Sequence, residues 1–224
     1  MDQERSPEPR FSTRLIVGAI VGAAILLAVS FTVGRVSVSV PVTPTTTSAE
    51  AGFARDMQTH HLQAVEMSMM VRDLSGDSEI RLLAYDIART QQQQAGQMNG
   101  WLNVWGVPQA APEPAMTWMT RPALDGSAHG HGGGDASANR PGDPMPGLAT
   151  NKQMADLEDL VGVDAEVDYL ELMIAHHRGG VAMAEAVLDR SDNRVVTALA
   201  RGMVAAQLSE IGYMQDLLAA RSPA

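Results

Sequence analysis

Cysteine is absent from the 224 residues of this chain. The chain therefore forms no disulfide, no thiolate metal site and no thiol nucleophile, and any bound metal must use His, Met, carboxylate or amide ligands. Aromatic residues are scarce, at 4 %, and a composition rich in Ala, Leu, Val and Met favours helices over an all-β fold. Basic side chains number 16 against 26 acidic ones. The net charge of -10 argues against nucleic-acid binding, which needs a cationic face.

One long apolar run is present near the N-terminus. Residues 15–33, LIVGAIVGAAILLAVSFTV, carry no charge and are long enough to cross a bilayer as a helix. Arg5, Arg10 and Arg14 precede the run, so the positive-inside rule places residues 1–14 in the cytoplasm and everything after Val33 outside the cell membrane. A cleaved signal peptide stays open, although the run exceeds a usual apolar core of ~7 to 15 residues and no clear A-x-A site follows it.

An internal duplication dominates the remaining sequence. The segment FARDMQTHHLQAVEM from Phe53 resembles YLELMIAHHRGGVAM from Tyr169, and the match continues through about fifty residues. Apolar residues recur in each copy at spacings of three and four, which predicts helices, and Ser-, Asp- and Asn-containing breaks at 75–78 and 191–193 predict turns. Each copy is therefore a helical hairpin, and the two together predict an all-α four-helix bundle.

The repeat divides the chain after the apolar run into predicted segments. Residues 34–50 form a Ser/Thr/Pro-rich tether, 51–105 the first hairpin, and 106–149 a Pro/Gly-rich crossover loop that we expect to be mobile. Residues 150–224 form a short helix, N-capped by Thr150, followed by the second hairpin. His129 and His131 lie in the Gly-rich part of the crossover, where they either capture a divalent metal weakly or are solvated spacer, and we favour the spacer.

Polar residues interrupt the apolar faces of both hairpins. Centring each hairpin on its turn places one polar or soft residue opposite another, in the pairs His60–Gln91, Met57–Gln94, His176–Gln207 and Met173–Glu210. The copies should bring these side chains into one layer of the core, with one His of each pair facing inward and the other flanking it.

This layer requires a physical explanation, because buried polar groups without partners cost about 1 to 3 kcal/mol each. Imidazole and thioether ligands match copper, as Cu(I) or Cu(II), with zinc as the competitor. The alternative is a His–Gln hydrogen-bond network that fixes the helix register, with Met filling the core. The candidate metal ligands are His60, His61, His176, His177, Met57, Met173 and Glu210, with Met67 and Met183 as second choices.

These motifs resemble the bacterial family called domain of unknown function 305. Its Met-x-x-His-His-x-x-Ala-x-x-Met helix is similar to the segments that begin at Met57 and Met173, and its Gln-x-x-Glu-Ile-x-x-Met helix is similar to the segment that begins at Gln207. The resemblance implies a ferritin-like helical bundle that is exported or membrane-anchored and, in some relatives, linked to copper binding. Two positions depart from the pattern: Gln94-Ala95 replaces Glu-Ile, and Gly179-Gly180 stands where the first copy has Gln63-Ala64. We expect the first change to remove a carboxylate and the second to loosen the helix beside its histidines.

The sequence thus predicts a single-pass membrane protein that buffers, sequesters or delivers copper outside the cytoplasm and is not an enzyme. Ferritin-like di-iron sites need several core carboxylates, and Glu210 is the only one that the pattern places there. A metal-free structural or interaction module of the envelope is the main alternative, and a metal-dependent oxidase is the least favoured one. The predicted partners are a metal ion and the membrane. A homo-oligomer and an envelope protein partner remain open.

Overall fold

The computed structural model describes residues 12–37, 42–126 and 140–221, and it divides into two units at Val42 and Thr43. The first unit contains helix α1, Thr13–Ser37. Within it, the stretch Arg14–Arg35 is long and apolar enough to cross a membrane, and a signal sequence near an N-terminus meets the same criteria. The helix is longer than the predicted span of 15–33, by two residues at its start and four at its end.

The second unit is a helical bundle. Its helices are α2 (Ala49–Leu74), α3 (Ser78–Trp105), α4 (Asn151–Glu158), α5 (Gly162–Leu188) and α6 (Arg194–Arg221), with a short 3₁₀ helix at Thr117–Thr120. The pairs α2–α3 and α5–α6 form the two hairpins, and α2 packs against α5 between them. The described residues contain no strand, and the all-α prediction is confirmed.

Side chains at the helix ends explain where the helices begin. Ser48 accepts a hydrogen bond from the backbone of Ala51, so α2 starts at Ala49, two residues before the predicted hairpin boundary. Asp77 caps α3 by accepting from two backbone N–H groups. Thr150 caps α4 in a reciprocal capping box with Gln153, as its sequence position predicted.

The core of the bundle consists of two hydrophobic clusters. One cluster combines the second half of α2 and the first half of α5, including Met67 and Met173. The other combines the opposite halves of the same helices, including Met57 and Met183. Because α2 and α5 both contribute to both clusters, their middle sections lie between them.

Reciprocal contacts tie the turn of each hairpin to the other hairpin. Ser75, at the α2–α3 turn, donates its hydroxyl hydrogen to Glu166 near the start of α5, at 2.6 Å between oxygens. Ser191, at the α5–α6 turn, donates in the same way to Glu50 at the start of α2, also at 2.6 Å. Equivalent residues of the two copies thus exchange equivalent hydrogen bonds, which is the pattern of an approximate twofold arrangement.

The described parts of the crossover connection pack against the bundle, although we predicted a mobile loop over its whole length. Asp56 of α2 accepts hydrogen bonds from the backbone of Met116 and the indole of Trp118, and both of these residues are buried. Leu124 donates its backbone N–H to Asp189 at the end of α5. The buried aromatic and Met side chains explain the difference, because their apolar surface is removed from water only by docking on the helices. His129 and His131 lie outside the described residues.

Candidate functional site

The four paired histidines lie in the middle of the bundle, between the two hydrophobic clusters. His60, His61, His176 and His177 all have an exposed fraction of 0 %. As predicted, one His of each pair, His60 or His176, faces the centre, while the second lies on the flank, where helix α3 or α6 covers it. The rings of His60 and His176 contact each other across the centre, with their centroids 3.8 Å apart and their planes tilted by 34°.

Each imidazole has a hydrogen-bond partner at its Nε2 atom. His61 pairs with Oε1 of Gln94 at 2.8 Å, and His177 pairs with Oε2 of Glu210 at 2.7 Å. These two bonds correct the predicted hairpin register, which had placed Met57 and Met173 opposite Gln94 and Glu210. The observed pairing is displaced by about one helical turn, because side chains lean toward the N-terminus of their own helix and the two helices of a hairpin run in opposite directions.

The two central histidines use backbone carbonyl groups. Nε2 of His60 lies 3.0 Å from the carbonyl oxygen of Pro146, and Nε2 of His176 lies 2.7 Å from the carbonyl oxygen of His60. A carbonyl oxygen only accepts hydrogen bonds, so Nε2 carries the hydrogen in both rings. In a neutral imidazole the lone pair then resides on Nδ1.

Burial keeps these rings neutral. Desolvation lowers the pKa of His60 to about 4 and, together with the nearby His60, lowers the pKa of His61 to about 3. Desolvation also holds the pKa of His176 well below its usual range. At neutral pH these rings therefore present unprotonated Nδ1 atoms.

The Nδ1 atoms of all four histidines are buried and have no hydrogen-bond partner among the described residues. The same holds for both amide atoms of Gln91 and of Gln207. The predicted pairs of His60 with Gln91 and of His176 with Gln207 therefore form no hydrogen bond. Eight buried polar atoms in this layer thus lack a protein partner within the part of the chain that the structure describes.

The end of the crossover connection reaches the histidine layer. Besides the contact of Pro146 with His60, the side-chain amide of Gln63 holds the backbone of Ala149 through two hydrogen bonds, each of 2.8 Å. The connecting segment 146–149 is thereby fixed to the first hairpin. Sequence reasoning missed this contact, because a backbone carbonyl carries no signature in the amino-acid pattern.

Two glycines let the same segment cross α5. A Cβ atom at Gly179 would overlap the carbonyl of Pro146, and a Cβ atom at Gly147, where φ is +75°, would overlap the carbonyl of Ala175. Helix α5 runs unbroken through Gly179 and Gly180, which we expected to loosen it. Their small size instead makes room, at Gly179 for the connecting segment and at Gly180 for the amide of Gln207.

The methionines lie beside the histidines in the two clusters. Met57 and Met183 belong to one cluster, and Met67 and Met173 belong to the other. All four are fully buried. The structure therefore places the predicted thioether ligands and second choices on either side of the polar layer.

Glu210 is the carboxylate of this layer. Its side chain is 29 % exposed, and one of its oxygens is used by His177. Among the described residues, no three His, Asp or Glu side chains form a cluster that could hold a metal ion. A metal held here would draw its ligands from imidazole and thioether groups together, a set suited to copper rather than to hard cations.

Comparisons with known proteins extend over most of the bundle. The model of the family described as "Domain of unknown function (DUF305)" matches residues 50–218. Among curated proteins, none matches this chain.

Solved structures also resemble the chain. A DUF305 protein from Streptomyces coelicolor is 49 % identical, with a TM-score of 0.67, and the match covers 79 % of this chain and 96 % of that one. A DUF305 fragment from Deinococcus radiodurans is 31 % identical, with a TM-score of 0.59 and coverage of 79 % and 99 %. CopM in its Cu(II)-bound form is 19 % identical, with a TM-score of 0.55 and coverage of 78 % and 98 %, which shows a shared fold. The family match and the two DUF305 structures establish that this chain belongs to the DUF305 family.

Proposed function

We propose that the bundle binds copper at its histidine layer and serves in copper buffering, sequestration or delivery outside the cytoplasm, without catalysing a reaction. The observation that carries this proposal is the set of four buried Nδ1 atoms without a partner in the described chain. The ligands would be the four histidines, assisted by Met57 and Met173.

The hydrogen bonds at Nε2 support a ligand role. Histidines that bind metals donate their other ring N–H to a carboxylate, a backbone carbonyl or water, which fixes the tautomer and orients the ring. His60 and His176 do this with carbonyl oxygens, and His177 does it with the carboxylate of Glu210. These bonds orient the three rings and place a hydrogen on Nε2 before any metal arrives.

A purely structural role explains the layer less well. A network that only fixed the helix register would pair the amides of Gln91 and Gln207 with the imidazoles, yet these amide atoms have no partner among the described residues. Each unpaired buried polar atom costs about 1 to 3 kcal/mol. A bound metal removes that cost for every nitrogen it engages.

The chemistry of the donors favours copper over zinc. Thioether ligands suit Cu(I), imidazole suits Cu(II), and Met and His side chains are combined here. The structures of CopM with Cu(I) and with Cu(II) indicate that a bundle of this fold accommodates both copper ions in that protein. For this chain the proposal depends on its own histidines.

The proposed location depends on α1. Its apolar stretch would anchor the chain as a single-pass membrane protein with the N-terminus in the cytoplasm, because the arginines precede the span. Protease treatment of intact cells tests this topology. Digestion of the bundle only after the membrane is broken would contradict it.

Copper titration tests the binding proposal. The full chain in detergent would be titrated with Cu(II), and with Cu(I) in the presence of a chromogenic Cu(I) chelator as competitor. We expect tight binding that a His60→Asn/His176→Asn variant loses and a His129→Ala/His131→Ala variant keeps. Thermal unfolding of the metal-free variants checks that both are folded.

The opposite pattern would overturn the proposal. Binding that the core variant keeps and the loop variant loses would assign copper to the crossover connection. No binding by the unmodified chain would leave the layer as a structural element of the bundle.

A further inference from the structure

Two hydrogen bonds at equivalent positions of the duplicated hairpins differ in charge. His61 of α2 contacts Gln94 of α3 at 2.8 Å, and His177 of α5 contacts Glu210 of α6 at 2.7 Å. The two donor–acceptor distances agree within 0.1 Å. The acceptor is an uncharged amide in the first hairpin and a carboxylate in the second.

The two histidines are otherwise closely matched. Both are fully buried, and both leave Nδ1 without a partner among the described residues. Each ring lies a little over 6 Å from the preceding His ring of its own pair, with centroid distances of 6.3 Å for His61 and 6.2 Å for His177. The acceptor on the second helix is therefore the main chemical difference between the two imidazoles.

A carboxylate acceptor changes what the opposite ring nitrogen can bind. It pulls on the Nε2 hydrogen, increases the electron density at Nδ1 and adds a negative charge near any ion bound there. This charge stabilises a dication more than a monocation, because the Coulomb energy scales with the charge of the ion. An amide acceptor orients the ring equally well but adds no charge.

We propose that Glu210 gives the second hairpin a preference for Cu(II), whereas Gln94 leaves the first hairpin with a preference for Cu(I). The inference rests on the proposed copper binding and deepens it. Glu210 is a positioning residue in this scheme, since it acts on the ion through His177. One bundle would then hold copper in either oxidation state, with a separate half for each.

Matched isosteric exchanges test the proposal. In the full chain in detergent, E210Q makes the second hairpin resemble the first, and Q94E makes the first resemble the second. Affinities for Cu(I) and Cu(II) would be measured separately by competition with chromogenic chelators. Electron paramagnetic resonance would count the Cu(II) sites.

We expect E210Q to lower Cu(II) affinity by about tenfold and to change Cu(I) affinity much less. Q94E should raise Cu(II) affinity at the first hairpin by a similar factor. The double variant Q94E/E210Q should have a ratio of Cu(II) to Cu(I) affinity close to that of the unmodified chain. His61 should then be the stronger Cu(II) ligand.

A metal-free measurement separates ring orientation from charge. Nitrogen NMR of the ¹⁵N-labelled apo chain should show the Nε2–H tautomer for both His61 and His177, and E210Q should keep that tautomer. If the chain binds copper but neither E210Q nor Q94E changes the ratio of its Cu(II) and Cu(I) affinities, this inference alone is overturned. Absence of copper binding by the unmodified chain would overturn the proposed function and this inference together.

Discussion

The two hairpins carry the same pair of histidines, but they differ where the chain that connects them passes. His176 of the second hairpin bonds to the carbonyl of His60, as an approximate twofold arrangement allows. His60 does not return this bond, because its Nε2 contacts Pro146 of the connecting segment instead. A single connection passes on only one side of a twofold arrangement, so the two copies must diverge at the residues that it touches.

The divergence is visible at one equivalent pair of positions. Gln63 in the first hairpin holds the connecting segment by hydrogen bonds, while Gly179 in the second hairpin leaves space for it. One position therefore binds the connecting segment through its side chain, and the other accommodates it by having no side chain. Measurements of stability on the metal-free chain test this difference.

The largest expected effect is the response of the histidine layer to acid. Burial lowers the pKa of His60 to about 4, so the unfolded chain binds more protons than the folded chain between pH 4 and 6.5. The free energy of unfolding should fall as the pH drops through this window, by about 3 kcal/mol from His60 alone. His61 and His176 add to the loss, since their pKa values are also lowered.

Thermal unfolding of the metal-free chain at several pH values measures this effect. A His61→Gln variant should show a smaller loss between pH 6.5 and 4, because one of the buried titrating groups is gone. A melting temperature that stays constant across this range would contradict the prediction.

The second expected effect is a loss of stability when a side chain on α5 fills the space that the connecting segment occupies. Gly179→Ala would place a Cβ atom onto the carbonyl of Pro146, where backbone must shift. We expect a loss of about 3 kcal/mol in the free energy of unfolding. The matched control is Gly212→Ala in α6, where no atom lies within 4 Å of the added carbon.

The control should be neutral or stabilising, by up to ~1 kcal/mol, because alanine favours a helix more than glycine. Equal melting temperatures for the two variants would contradict the prediction. They would mean that the connecting segment can move away from α5 without lowering the stability of the fold.

The third prediction concerns the other side of the same segment. Gln63→Ala removes both hydrogen bonds to the backbone of Ala149, and we expect a loss of about 2 kcal/mol. Gln93→Ala on the exposed surface of α3 is the control, with an expected change below ~0.5 kcal/mol.

Because Gln63 and Gly179 act on one segment, their effects should not add. A Gln63→Ala/Gly179→Ala double variant should lose clearly less stability than the two single losses together. Strict additivity would show that the two positions act on the fold independently.

The smallest expected effect compares the turns of the two hairpins. Ser75→Ala should cost about 1.5 kcal/mol, because its acceptor Glu166 is only 4 % exposed. Ser191→Ala should cost less, about 1 kcal/mol, because Glu50 is half-buried and water replaces part of the lost bond. A larger loss for Ser191→Ala than for Ser75→Ala would contradict this order.

The periodicity of the sequence predicted much of the bundle. Apolar residues at helical spacing predicted the four long helices. The predicted turn at 191–193 lies between α5 and α6, and the one at 75–78 includes the break at 75–77 and the first residue of α3. The repeat of His-His in both copies predicted one polar layer, which the structure forms between the two clusters. These features depend on local propensity and on a period that can be read along the chain.

The pairing of side chains within that layer was not predictable with the same accuracy. The predicted partners of Gln94 and Glu210 were wrong by about one helical turn, because a register centred on the turn ignores the lean of side chains toward the N-terminus of each helix. The buried contact of Asp56 with Trp118 was also missed, since the two residues lie far apart in the chain and follow no shared period.

The sequence by itself determined the apolar N-terminal helix, the duplicated hairpins and one polar layer of the bundle that contains both His-His pairs. Only the tertiary structure decided which ring nitrogen is left without a partner. It also decided that Pro146 supplies the carbonyl group for His60, where twofold symmetry would place a carbonyl group of the second hairpin. The physical reason is that helix formation depends on neighbours in the sequence. Hydrogen-bond partners and close approaches depend instead on which distant backbone atoms share the same small volume.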